Sequence, residues 1–187
     1  MQKLKSLSKN MYRIFSIKIM VAAIVIFVLF MVFVLPAASA YKEKRAGAAS
    51  SPDTSFIYSA DELYEMADSY GQEGRNAYIF MRFTFDLAWP LVYLFFMAAV
   101  ISNLLRCFNE DSKLRYLNLV PFAGALFDYL ENIFAAITVS RFPLKTIIVA
   151  ELTPVWTLIK WVTLGFGFAV LFVLIIYRLY KLIAKKS

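Results

Sequence analysis

Four apolar stretches, at about 18–37, 77–105, 116–139 and 154–180, leave this chain little choice of solvent. Each is close to or beyond the roughly 20 residues that a helix needs to cross a bilayer core. Lipid offers no partner to an open backbone group, so a segment placed there must satisfy its own hydrogen bonds as a helix does. Hydrophobic residues make up 61% and aromatics 17% of the 187 positions, more apolar matter than a soluble domain of this size has polar surface to cover. The expected fold is therefore an all-α integral membrane protein, a single domain over residues 1–187 built as a four-transmembrane-helix bundle.

The first run, Ile19 to Pro36, follows a leader with Lys3, Lys5, Lys9, Arg13 and Lys18 and ends in Ala38-Ser39-Ala40. That A-x-A pattern suits signal peptidase, but the run is long for a signal-peptide core, and we expect it to stay as the first span. Residues 38–76 form a polar loop. Within it Ser59-Ala60-Asp61-Glu62 reads as a capping box opening a short amphipathic helix over about 60–70. Leu63, Tyr64, Met66 and Tyr70 supply its apolar side, Gly71 and Gly74 are expected to end it, and it should lie at the membrane surface. Trp89-Pro90 predicts a kink in the second span. Arg141-Phe142-Pro143 closes the third, and Thr153-Pro154 reads as the start of the fourth, with Thr as cap and Pro in the first turn. Gly165 and Gly167 suggest close helix packing or bending there.

The net charge is +7, and its placement carries more than its size. The leader, the 106–115 turn and the tail (Arg178, Lys181, Lys185, Lys186) are strongly basic, with only Glu110 and Asp111 against them. The 38–76 loop mixes four basic residues with seven acids between Glu43 and Glu73. The positive-inside rule then puts both termini in the cytoplasm and the loop outside, in a multi-pass protein of the plasma membrane. Nucleic-acid binding is not expected from basic residues so arranged. Membrane lipids are the expected partners, with a homodimer or larger membrane complex as the assembly that so small a bundle would need to enclose a path.

Ionisable residues inside a span are costly unless paired, which makes each one a candidate for function. Arg82 and Asp86 stand four apart on the second span. Asp128, Glu131 and Asn132 share a face of the third, and Lys160 lies in the fourth. With a rise of about 1.5 Å per residue, Asp86 and Lys160 fall roughly 7 Å outward of centre and Glu131 and Asn132 about 5 Å. Asp128 is near the midplane. These six are the candidate ligand- or proton-binding residues. Two cations face three carboxylates, so either Asp128 or Glu131 is expected to hold a proton. Trp89, Tyr93, Thr157 and Trp161 are the candidate pocket-lining residues, although Trp and Tyr in such proteins commonly serve as interfacial anchors.

The chain has no histidine, which excludes His-based zinc, haem and proton-relay sites, and a single cysteine, Cys107, which excludes an intramolecular disulfide. No metal site, cofactor or nucleophile motif is expected. In topology the chain resembles tetraspan proteins, with four spans and a larger first outer loop. It departs from claudin-like members, whose loop carries a Trp and two Cys, and from quinone-epoxide reductases of the bundle type, which need paired cysteines. Three functions compete. The leading one is binding or transport of a small polar or cationic solute or a lipid headgroup at the buried cluster, with proton coupling. Less favoured is an intramembrane enzyme acting on a lipid or isoprenoid by carboxylate acid–base chemistry. The third is an accessory or immunity-type membrane protein whose polar core only fixes the packing.

Overall fold

A computed structural model describes residues 2–46, 51–52 and 55–184; Asp53 of the loop and Lys185 and Lys186 of the tail lie outside them. Helix is the sole regular structure among the described residues, without strands, and four helices are long and apolar enough to cross a membrane: Ile17–Arg45, Gly71–Leu105, Lys113–Arg141 and Ile147–Ala184.

The basic leader is a helix of its own, α1 (Gln2–Ile14), which turns Ser8, Met11 and Tyr12 inward and its lysines outward. Phe15 and Ser16 break it, and the Ser16 side chain accepts from Ile19 N to cap α2 (Ile17–Leu29). A π turn, Phe30–Val34, joins α2 to α3 (Leu35–Ala46). The turn has a local cause: Pro36 has no N–H to give and its ring displaces the carbonyl one turn back, and a π turn absorbs that mismatch without ending the helix. Ala38-Ser39-Ala40 lies within α3. This first long helix packs against α5 and α6 along one side only, and Val21, Val25, Val32 and Phe33 are among its exposed residues.

The capping box forms as expected. Ser59 accepts from Glu62 N at 3.2 Å and the Glu62 carboxylate accepts from Ser59 N at 2.7 Å, opening α4 (Ala60–Ser69). Leu63, Met66, Ala67 and Tyr70 pack on Tyr78, Ala135 and Val139, so α4 rests on the ends of its neighbours. Gly71, at φ +60°, ends α4, a conformation a Cβ would strain. Gly74 does not end it; it is buried inside the next helix, α5 (Gly71–Arg82). Ser59→Ala should cost about 1 kcal/mol of local stability, the usual worth of such a cap. Faster amide exchange confined to residues 60–67 would show it; unchanged protection there would mean that packing alone holds α4.

The second long helix is interrupted at Phe83–Thr84, before α6 (Phe85–Leu105), and not at Pro90. Thr84 Oγ1 donates back to Phe80 O at 2.8 Å, and the Thr84 backbone sits at φ −123°, ψ −82°, so the side chain competes with the helix for its own backbone groups. A 3₁₀ segment, Lys113–Leu119, leads into α7 (Val120–Arg141), which Phe142 closes as expected. The last helix, α8 (Ile147–Ala184), starts two turns before the expected Thr153-Pro154. Thr153 Oγ1 donates to Val149 O at 2.8 Å, so it bonds to the turn behind it and does not cap the turn ahead.

Helices α6, α7 and α8 form the core. Tyr93, Met97, Ile101 and Leu105 pack on Leu164, Leu171 and Leu174. At Gly124 a Cβ would approach Leu164 Cδ2 to 3.0 Å, and at Gly167 it would meet Met97 Cε at 2.6 Å. These two glycines allow the close approach, whereas Gly165 faces open space and allows none.

Candidate functional site

All six ionisable and amide residues singled out in the sequence meet in one buried network between α5, α6, α7 and α8. None is more than 7% exposed, and Glu131 is fully enclosed. The network has two halves joined by an amide.

In the first half, the Arg82 guanidinium lies 3.2 Å from Asp86 Oδ2. It also donates to Asn132 Oδ1 and to Tyr78 OH, each at 2.5 Å, and its carbon stands 4.4 Å over the Tyr78 ring. Tyr78, Arg82 and Asp86 follow at four-residue spacing, so a single face of the chain presents them even though the helix breaks between the last two. In the second half, Lys160 Nζ contacts Glu131 Oε2 and lies 3.9 Å from Asp128 Oδ1. Tyr93 OH donates to Asp128 Oδ2 at 3.0 Å.

Asn132 is the joint. Its Nδ2 donates to Asp128 Oδ1 at 3.3 Å and to the backbone oxygen of Asp86 at 3.2 Å, while its Oδ1 accepts from Arg82. The second of these bonds has a reason in the sequence. Asp86 O is the acceptor that residue 90 would serve in a regular helix, and residue 90 is proline. Tyr129 OH serves the next carbonyl, Leu87 O, at 2.8 Å. One turn of α7 thus supplies the hydrogen bonds near Pro90, and α6 passes through the proline without ending.

The four aromatic and hydroxyl candidates divide. Tyr93 belongs to the network through Asp128. Trp161 lies beside it, with Lys160 Nζ 5.1 Å from its ring centroid and the Phe56 ring 4.9 Å away. Its indole nitrogen is buried and meets no acceptor among the described residues. Thr157, one turn before Lys160, donates to Thr153 O at 3.1 Å, so the 2.7 Å contact with Tyr58 is a bond donated by the tyrosine. Trp89 touches the network through the edge of Tyr93, at 5.6 Å, and otherwise stacks with Phe27 and Phe30 at 5.9 and 5.6 Å, on the first long helix.

Sequence reading missed Tyr78, Tyr58 and Tyr129. Tyr78 was within reach, being one turn before Arg82. Tyr58 was not, because it comes from the loop: residues 55–59 lie over α8, with Phe56 against Trp161 and Tyr58 on Thr157. The loop therefore lies against α8 beside the network. No group of three or more metal-ligating side chains occurs among the described residues. Compared with protein-family models, curated proteins and solved structures, the chain matches none.

Proposed function

We propose that this chain is a multi-pass membrane protein that binds a small cationic or polar solute, or a lipid headgroup, at the Arg82–Asp86–Asn132–Asp128–Glu131–Lys160 network, in exchange for a proton. The observation that carries the reading is that one enclosed network on three long helices gathers, among the described residues, two cations and three carboxylates. Carboxylates gathered where water does not reach bind positive charge strongly, and a proton and a small cation can alternate in that role. The buried Trp161 indole nitrogen, beside Lys160, adds a donor that a polar guest would satisfy. Both termini are cytoplasmic in this reading, and the guest enters from the loop side, past the Phe56–Tyr58 strap. No nucleophile motif in the sequence and no metal group among the described residues supports the enzymatic alternative.

One observation favours a second reading, in which the network only fixes helix packing. Asn132 and Tyr129 satisfy the carbonyls near Pro90, a task that involves no guest. Native mass spectrometry of gently solubilised protein, wild type beside Glu131→Gln, separates the two. A specific bound mass in the wild type that is lost in the variant, with proton release on rebinding, is the expected result. If both carry only nonspecific lipid and are equally stable, the binding reading fails and the packing role stands.

A further inference from the structure

A second site lies at the opposite, basic end of the bundle, and it owes nothing to the buried network. Helix α1 docks there by its polar inner side. Ser8 and Asn118 bond reciprocally, Ser8 Oγ to Asn118 Oδ1 at 2.9 Å and Asn118 Nδ2 to Ser8 O at 3.2 Å. Tyr12 OH donates to Arg115 O at 2.8 Å. A cleft of about 340 Å³ remains between α1 and the α6–α7 connection, at the small end of the range usual for ligand sites.

Its lining is basic by construction. Lys5, Lys9 and Arg13 follow at four-residue intervals and form one stripe along α1, and Arg106 and Arg115 line the same cleft from the connection. The two arginines are held in place. Arg115 lies 3.9 Å over the Tyr12 ring, and Arg106 donates to Tyr12 O in the last turn of α1 at 2.5 Å and to Phe15 O just beyond it at 3.1 Å. Of the acids in the cleft, Asp111 lies 3.8 Å from Lys5, and Glu110 makes no ion pair among the described residues. Five cations thus share one concavity with two acids.

Topology does not require this arrangement. The positive-inside rule counts basic residues near a span and is indifferent to their spacing. A stripe of like charges one turn apart destabilises its own helix, and two fixed guanidinium groups facing it add to the repulsion. Planar guanidinium groups held in place, together with flexible ammonium groups, are the donor set that phosphate oxygens fit. We propose that this cleft binds a phosphate ester. The ester belongs either to an anionic lipid headgroup at that surface or to a soluble phosphate compound.

The full chain, purified in a neutral detergent, would be offered equal amounts of phosphatidylglycerol and phosphatidylcholine and examined by native mass spectrometry. Retention of one phosphatidylglycerol per chain, in preference to phosphatidylcholine, is expected. Lys9→Gln with Arg13→Gln should lower that retention by about 30-fold, the effect of losing two basic residues near an anionic surface. Both side chains are exposed, so folding is not at issue. Arg178→Gln with Lys181→Gln, which removes the same charge from α8, should leave it unchanged. In a second arm, glycerol phosphate replaces the lipid: binding of it that depends on Lys9 and Arg13 assigns the cleft to soluble esters, and its failure beside retained lipid assigns it to the headgroup. Equal losses in the two double variants, or no phosphate-dependent binding in either arm, would overturn the proposal. Glu131→Gln should affect neither arm, so this site and the buried one stand or fall separately.

Discussion

Replacing Lys160 by Met should destabilise the protein by about 3–5 kcal/mol, the cost of removing one partner from a buried ion pair. Lys160 is 5% exposed, and it approaches both Glu131, which is fully enclosed, and Asp128, which is 6% exposed. Met fills nearly the same volume, so packing is largely kept and the charge is what changes. Among the described residues of the network, three carboxylates then remain with Arg82. The loss should then be recovered in large part by a second substitution, Glu131→Gln, which removes one of the stranded charges. Neither half of that cycle is expected from an exposed pair, whose loss typically costs under about 1 kcal/mol. Equilibrium unfolding in mixed micelles would measure both variants. A loss below about 1 kcal/mol for Lys160→Met would mean that water reaches the pair and that the network is not enclosed as the proposed binding requires.

The sequence makes part of this arrangement readable and hides the rest for identifiable reasons. Hydropathy locates the four long helices, because nothing else in the chain competes with runs such as Ile19–Val34 or Leu164–Tyr177. The capping box at Ser59 and the turn at Gly71 are local signals, decided by residues within a few positions, and both hold. The charged residues could be assigned to one network because an ionisable group inside an apolar run has few places to go.

Signals that depend on a neighbouring helix were misread. Thr153-Pro154 has the form of a helix start, yet the helix already runs from Ile147, with Ala150 packed on Ala60 and Tyr64 of α4, and the proline is carried inside it. Pro90 was read as the site of a kink, and the interruption of the long helix at Thr84 was not foreseen. The acceptors near Pro90 find donors on α7, which no local reading of α6 contains. The leader was read only as a charge that sets topology. Its inward residues Ser8, Met11 and Tyr12, at helical spacing, held the evidence for a docked helix.

Asn132→Leu should be the most damaging change that removes no charge. The substitution deletes the acceptor for Arg82, one donor to Asp128, and the donor that serves Asp86 O. Each buried polar group left without its partner costs about 1–3 kcal/mol. Even with Tyr78 and Asp86 still holding Arg82, a total of about 2–4 kcal/mol is expected. The decisive result is the rescue. Pro90→Ala restores an N–H at residue 90, and that group can reach Asp86 O through the ordinary helical bond. Alone, in the presence of Asn132, Pro90→Ala should change stability little, because the carbonyl is already served. Combined with Asn132→Leu, it should recover about 1 kcal/mol or more, a coupling that two independent sites would not show. If the two substitutions are additive, the Asn132–Asp86 bond contributes nothing, and the continuity of α6 through Pro90 must come from packing on α7 and α8. If they couple as expected, the asparagine's place in the network is explained by the proline, and the question of a guest narrows to the carboxylates and Lys160.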